Sequence, residues 1–404
     1  MNVRQQAIGI LDAVLNRRRK ADQQLDAALS THAPDARDRR FLHELVYGVL
    51  RRYFSLEADF SRYLQQKPDE FARLALFIGT YQLRHMRVPA HAAVGETVAA
   101  VKPRDPKASG MVNAVLRKVS TNEPPARLKP HQRAELPKWL YAAWRDAFGA
   151  DAVQQFCALA ATQPPLCVAV FEDRETWMDQ LREAGVEVRA GELSPHAVLL
   201  PVGTDVTGLP GFNAGAFTVM DQAAQAAVTA LEISKQDGVM LDVCAAPGGK
   251  TALLSHRFPD ARIMAVELNV KRIPRLKENL ARLHCQNAGL LQTDGRTLPI
   301  PDAAVDGILL DAPCSASGVL RRHPDAKFLH DRTDVDRHAA LQKTMLAEAM
   351  RVLRPGGCLV YAVCSIHPEE NEQVVEGLAG VESMQRLYPD KTHDGFFVAK
   401  LRKP

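Results

Sequence analysis

Two cysteines stand at the ends of apolar, strand-like runs: Cys314 in Ile308-Leu-Leu-Asp-Ala-Pro-Cys-Ser315 and Cys364 in Leu359-Val-Tyr-Ala-Val-Cys-Ser365. Upstream, a similar run leads into a glycine turn, Asp242-Val-Cys-Ala-Ala-Pro-Gly-Gly-Lys-Thr251. A thiolate is an effective nucleophile, and glycines after a strand let a small ligand approach the backbone closely. Parallel α/β sheets hold ligands at the carboxyl ends of their strands, so three such ends carrying glycines, an aspartate and two thiols predict one cleft.

The turn from Cys244 to Thr251 nearly matches a phosphate loop, and Gly307–Asp311 resembles the strand and aspartate that would hold magnesium. A phosphate loop needs glycine where Cys244 stands, and Pro247 interrupts the flexible backbone nest that would wrap a phosphate. A nucleoside triphosphatase is therefore disfavoured, and the absence of Gly-x-Gly-x-x-Gly argues against a dinucleotide. A nucleoside without phosphates fits better. Gly248 and Gly249 allow close approach, Glu267 ends the next strand where an acid can take both ribose hydroxyls, and Asp294, in Gln292-Thr-Asp-Gly295, can accept from an adenine amine. In this order the groups describe S-adenosylmethionine, with no metal expected.

That donor carries an electrophilic methyl, so the protein must make the acceptor nucleophilic. A pyrimidine's carbon 5 is inert until something adds to carbon 6, and a thiolate does this by covalent catalysis. Methyl transfer to carbon 5, loss of the carbon-5 proton and elimination of the thiol complete the cycle. Asp311, three residues before Cys314, is the carboxyl available to ring nitrogen 3. A free thiol has a pKa near ~8.5, so its surroundings must favour the thiolate. Ser365-Ile-His-Pro-Glu-Glu-Asn371 reads as the cap and first turn of a helix, whose N-terminus would stabilise an anion at Cys364. Cys314, in a Pro-Cys turn, has a similar claim. The residues alone leave open which cysteine attacks. A methyltransferase acting on nitrogen would want an Asn/Asp-Pro-Pro-aromatic turn where Asp311-Ala-Pro-Cys314 stands.

The elements that position these groups fall into several domains, since 404 residues exceed the roughly 250–300 that a single core sustains. Helical periodicity over the first 120 or so residues, as in Val3, Ala7, Leu11, Val14 and in Phe41, Leu42, Leu45, Val46, Val49, Leu50, predicts five to seven helices. Four prolines between Pro124 and Pro137 mark a linker over 126–137. A small α/β platform is expected over 138–221, with strands at Leu166–Phe171, Val186–Val188, Ala197–Pro201 and Ala216–Met220. From 222 to 404, apolar runs at Val239–Val243, Ile263–Val266, Gly289–Gln292, Gly307–Leu310 and Cys358–Val363 alternate with helical patterns and predict a doubly wound parallel sheet.

Net charge is +4, but residues 1–126 hold 20 Lys+Arg against 13 Asp+Glu, leaving 31 against 34 for the rest. That asymmetry is an electrostatic footprint for a polyanion on the first domain. Seven cysteines without regular spacing imply no disulfide framework. No stretch reaches the roughly 18 apolar residues of a membrane span, and Asn16-Arg-Arg-Arg-Lys20 stands where a signal peptide would be apolar. A cytoplasmic protein without membrane contact is expected.

The glycine turn, the segment from Leu309 to Asp325 and the segment Tyr361-Ala-Val-Cys-Ser-Ile-His-Pro-Glu-Glu-Asn-Glu372 together resemble the Sun-type RNA cytosine-5 methyltransferases. The likeness spans essentially the whole chain, including a first domain similar to the NusB antitermination fold and the segment ending Phe217-Thr-Val-Met-Asp-Gln-Ala-Ala-Gln225. It implies an all-α RNA-binding domain over 1–125, an RRM-like platform and a Rossmann-like methyltransferase domain acting as a monomer on a cytidine of small-subunit ribosomal RNA. The same chemistry on transfer RNA, or a non-catalytic assembly factor, are the alternatives. By resemblance, Cys364 is the nucleophile and Cys314 assists product release. Cys244, Ala245, Ala246, Pro247, Gly248, Gly249, Lys250, Glu267, Asp294 and Asp311 match cofactor positions, Asp311 also engaging the base. Val363 stands where the family usually has threonine, and the stretch between Val381 and Asp394 is shorter than in many relatives. The resemblance also suggests that Arg321-Arg322-His323 forms a basic loop for RNA phosphates at the cleft mouth.

Overall fold

In the computed structural model, which describes residues 2–32 and 35–404, the chain divides into two compact units. One is Met1–Thr162 with Leu320–Arg332, the other Gln163–Val319 with Thr333–Pro404.

The first unit contains α1 (Val3–Arg17), α2 (Ala21–His32), α3 (Ala36–Arg51), α4 (Tyr53–Ser61), α5 (Glu70–His85), α6 (Ala90–Val101), α7 (Pro106–Thr121), α8 (Pro130–Arg133), α9 (Lys138–Phe148) and α10 (Ala150–Ala160). The expected spacing buries one stripe of each long helix: Ala7, Leu11 and Val14 of α1 meet Leu42, Leu45 and Val49 of α3 in one core with Phe60, Phe77 and Leu116. Carboxylates cap the starts, Asp35 accepting from the Asp38 N–H at 2.7 Å and Asp69 from the Ala72 N–H at 3.0 Å.

The proline-marked stretch is ordered against this unit. Glu135 is buried, and its carboxylate accepts from the N–H groups of Phe54 (2.9 Å) and Ser55 (3.3 Å), capping α4 where Arg52 supplies no side-chain cap. Helices α9 and α10 also cluster with this unit, which runs to Thr162. The 320–332 segment buries Ala326 and Lys327, the ammonium donating to the carbonyls of Glu135 (2.7 Å) and Arg51 (3.2 Å). This corrects the expected basic loop: Arg321 is buried in the helical unit, its carbonyl accepting from Arg51 at 3.1 Å, and only His323 of that run is exposed.

The second unit opens with the platform: β1 (Leu166–Val170), α11 (Arg174–Glu183), β2 (Arg189–Ala190), β3 (Ala197–Leu200) and β4 (Phe217–Val219). Its sheet has the order β2-β3-β1-β4, all antiparallel, and α11 packs Trp177, Met178 and Leu181 on it. No strand forms at Val186–Val188, because the Val186 N–H bonds back to the Leu181 carbonyl at 2.9 Å and closes α11 past Gly185 (φ 77°).

After α12 (Gln222–Ala230) come β5 (Val239–Val243), α13 (Gly249–Arg257), β6 (Arg262–Val266), α14 (Ile273–Arg282), β7 (Ala288–Leu291) and β8 (Val305–Asp311). The short α15 (Ala326–Leu329) lies in the first unit; α16 (Arg332–Val352), β9 (Leu353–Val363), α17 (Glu372–Val375), β10 (Val381–Leu387) and β11 (Phe396–Arg402) follow. The seven strands order as β10-β11-β9-β8-β5-β6-β7. Strands β5 to β9 are parallel as expected, but β11 runs antiparallel to β9 and β10 antiparallel to β11, so the sheet is mixed. Apolar clusters cover both faces, which is why the parallel strands read as unbroken apolar runs. Strand order reverses between β5 and β8, the place where open α/β sheets leave a crevice. Among the described residues no helix is long and apolar enough to cross a membrane.

Candidate active site

The glycine turn leaves β5 at this reversal point. Cys244 adopts φ 69° and Gly248 φ 104°, a left-handed conformation that glycine takes without a side-chain clash. Both Cys244 and Ala245 donate their N–H to the Val266 carbonyl at 3.0 Å, tying the turn to the end of β6. A Cβ added at Gly249 would stand 3.2 Å from Met220 Cε and 3.8 Å from Thr218 Cγ2, so the platform walls the turn closely. Glu267, just past β6, is buried; its carboxylate accepts from the Asn269 N–H (2.8 Å) and Ala246 N–H (3.3 Å) and pairs with Arg272 at 3.2 Å. Asp294, past β7, pairs with Arg296 at 2.6 Å, and hydrogen bonds from that guanidinium and from the Arg296 N–H hold its pKa below the usual range.

Asp242 is fully buried, with one carboxylate oxygen accepting from the Thr251 hydroxyl and the other without a partner. Burial pushes its pKa up to about 7, against the Thr251 hydrogen bond and the Lys250 charge. A carboxyl raised in the folded state binds a proton there that the unfolded chain releases near ~3.9. The folded state therefore loses stability as pH rises from about 4 to about 7. Unfolding midpoints of wild type and Asp242→Asn across this range should diverge against the wild type, by on the order of a few kcal/mol at the alkaline end.

The thiols meet one strand away. Strands β8 and β9 pair in register, Asp311 opposite Ala362, and the turns beyond them bring Cys314 Sγ to 3.3 Å from Cys364 Sγ. Lys250 Nζ donates to Asp311 at 2.8 Å. Burial works against the Lys250 charge, but Asp311, then Asp242 and Cys364, outweigh it and raise its pKa. The Cys314 thiol is raised well above its ordinary value, first by its hydrogen bond with Cys364, then by burial and by the charges of Cys364 and Glu370. Burial pushes the third thiol, Cys244, up to about 12, helped by Asp311, Glu267 and Asp242, so that sulfur is held as an inert thiol.

The helix expected after Cys364 is absent. Residues 365–371 carry no helix, and the short α17 starts only at Glu372. Ser365 instead accepts from the His367 N–H at 3.1 Å, and Cys364 is among the groups whose charge raises the Lys250 pKa. Val363, where the resembled family usually has threonine, lies fully buried in the apolar cluster with Tyr361 and Phe397. Two features went unread in the sequence: Glu370, which hydrogen-bonds both thiol turns, and the pairing of Gly318 with Gly395. At the latter, Gly395 N–H donates to Gly318 O at 2.9 Å while Gly318 N–H donates to Cys364 O at 3.0 Å. A Cβ at Gly318 would stand 2.3 Å from Gly395 O, a backbone atom that cannot swing away. Gly318→Ala should therefore cost about 1–3 kcal/mol in thermal unfolding and displace the Cys314 turn.

These groups fit S-adenosylmethionine: backbone N–H groups and glycines at the turn, a buried acid past β6 for the ribose, and an acid past β7 for the adenine amine. Residues 228–379 match the model described as 16S rRNA methyltransferase RsmB/F, residues 1–121 the NusB family, and residues 136–207 the RsmF/B-like ferredoxin-like domain. The ribosomal RNA small subunit methyltransferase B of Pseudomonas putida is 37% identical over 441 residues, covering 100% of this chain and 99% of that protein. That of Vibrio cholerae is 36% identical, covering 100% and 98%. The crystal structure of PH0851 matches with TM-score 0.81 at 22% identity over 99% of each chain. NSun6 from Pyrococcus horikoshii with SFG matches with TM-score 0.58 at 22% identity over 66% of this chain and 98% of that one. At these identities the two structures speak to the fold alone. With its three domains matched in order and full-length identity to named relatives, the chain belongs to the RsmB/F family of 16S rRNA methyltransferases.

Proposed function

We propose that this protein methylates carbon 5 of a cytidine in small-subunit ribosomal RNA, through a covalent bond between Cys364 and carbon 6. The observation that carries this reading is the meeting of two thiols at 3.3 Å beside the Asp311–Lys250 pair. Neither nitrogen nor oxygen methylation needs a pair of sulfurs, whereas carbon 5 needs a nucleophile at carbon 6 and a group to manage the proton on carbon 5.

Cys314 keeps its proton, so it donates to Cys364 Sγ, and Cys364 is the sulfur that attacks. The Lys250 ammonium favours negative charge at that sulfur, a role that the sequence had assigned to a helix end. Charge collects on ring nitrogen 3 as carbon 6 is attacked; that nitrogen takes a proton from solvent, and the Asp311 carboxylate accepts the resulting N–H. Residues Cys244 to Lys250, Glu267, Asp294 and Asp311 would hold S-adenosylmethionine, which supplies the electrophilic methyl for carbon 5. Once Cys364 is bonded to the base, its charge and its hydrogen bond no longer hold the Cys314 proton in place. Cys314 then gives its proton to solvent, and as a thiolate it takes the carbon-5 proton, while the electron pair of that bond restores the carbon 5–carbon 6 double bond and expels Cys364 as a thiolate.

The names of both relatives, ribosomal RNA small subunit methyltransferase B, support that RNA as substrate over transfer RNA. The test is to incubate the protein with methyl-labelled S-adenosylmethionine and deproteinised small-subunit RNA, then hydrolyse the RNA. Label in 5-methylcytidine is the expected result. Label in another nucleoside, or none even with an assembling subunit as substrate, would overturn the reading.

A further inference from the structure

The turns that carry the two thiols converge on one carboxylate that the proposed chemistry does not use. Glu370 is fully buried. Its Oε1 accepts from the Ser315 N–H at 2.8 Å and from Gln342 Nε2 at 3.4 Å, and its Oε2 accepts from the Ser315 and Ser365 hydroxyls, both at 2.5 Å. Ser315 directly follows Cys314, and Ser365 directly follows Cys364. The frame extends outward: Gln342 Nε2 also donates to the Pro313 carbonyl at 2.8 Å, and the Tyr361 hydroxyl donates to the Glu370 carbonyl at 2.6 Å. Ser317 Oγ lies 3.0 Å from Ser365 Oγ and accepts from the Ile366 N–H at 3.0 Å. His338 Nδ1, from α16, stands 3.6 Å from Oε1.

A wholly buried carboxylate is a poor choice for packing alone, because an apolar side chain of similar volume serves stability as well or better. Four hydrogen bonds from both thiol turns and α16 instead make it a joint whose geometry sets where each sulfur sits. We infer that Glu370 is a positioning residue, clamping the Ser315 and Ser365 turns so that the Cys314 and Cys364 sulfurs are held at hydrogen-bonding distance. The inference rests on the covalent reading above. The negative charge of Glu370 also helps keep the proton on Cys314, which divides the roles of the two thiols in the same sense as the geometry.

The test is Glu370→Gln in the full-length protein, a change of nearly equal volume that removes the charge and turns a donor toward the serine hydroxyls. Iodoacetamide labelling without RNA, read by mass spectrometry at each cysteine, reports the thiols directly. In the wild type Cys364 should label ahead of Cys314, and in the variant that ratio should change by about tenfold or more. In turnover, kcat should fall by roughly 10–100-fold while KM for RNA and affinity for S-adenosylmethionine hold. Ser315→Ala and Ser365→Ala each remove one arm of the clamp while keeping the carboxylate, and should shift the ratio in the same direction should Glu370→Gln not fold. An unchanged labelling ratio in the variants that fold, or a loss confined to thermal stability and cofactor affinity, would overturn the inference. A wild type that never forms 5-methylcytidine would defeat the functional reading, while the labelling ratio would still judge Glu370.

Discussion

Replacing Cys364 by alanine should abolish both methylation and the covalent RNA adduct, whereas replacing Cys314 by alanine should leave the adduct to accumulate. The asymmetry follows from the proton. Both sulfurs are half-buried and 3.3 Å apart, yet it is Cys314 whose proton is held by the hydrogen bond, by burial and by the charges of Cys364 and Glu370. Without Cys364 nothing adds to carbon 6, and turnover should fall by more than about 10⁴-fold. Without Cys314 addition and methyl uptake proceed, but the carbon-5 proton has no base and the sulfur–carbon bond persists. Denaturing gels of labelled RNA after incubation distinguish the two: no shifted band for Cys364→Ala, an enriched one for Cys314→Ala. The reverse pattern would exchange the assigned roles.

Asp311→Asn should lower single-turnover methylation by about 10²–10⁴-fold with little change in folding. The amide keeps the size of the carboxylate and can still accept from Lys250, so the 2.8 Å contact need not be lost. What it loses is the negative charge that outweighs burial in raising the Lys250 pKa and that favours the N–H at ring nitrogen 3. Adduct formation, not only methyl transfer, should therefore slow. Stopped reactions that count adduct and 5-methylcytidine separately check this, and a variant that forms adduct at the wild-type rate would remove Asp311 from the addition step.

The parallel core was legible because β5, β8 and the second half of β9 are buried on both faces and so read as apolar runs ending in polar turns, whereas the edge strand β7 is only half-buried. The same logic picked out Cys314, Cys364, Asp311 and the glycine turn, all of which lie at strand ends beside the reversal of strand order. The antiparallel hairpin was not read. Strand β10 is an exposed edge, with Glu382, Ser383 and Gln385 looking like surface, and β11 carries its apolar residues Phe396 to Ala399 in a stretch that could equally close a helix bundle. The turn after Cys364 misled for a different reason. Serine followed by two acids has the composition of a helix cap, but Glu370 turns inward to meet Ser315, fifty-five residues away in sequence, and local patterning carries no trace of that contact. Arg321 misled likewise: two arginines and a histidine suggest an exposed loop, while the segment's apolar neighbours Leu320 and Ala326 bury it in the helical unit.

The central claim, attack at carbon 6 with substitution at carbon 5, is tested most directly by tritium release. Small-subunit RNA carrying tritium on carbon 5 of cytidine is incubated with the wild-type protein and S-adenosylmethionine, and both methyl gained and tritium lost to water are counted. Tritium released in step with methyl gained is the predicted result. Methyl gained with tritium retained would place the modification on another atom and contradict the covalent account.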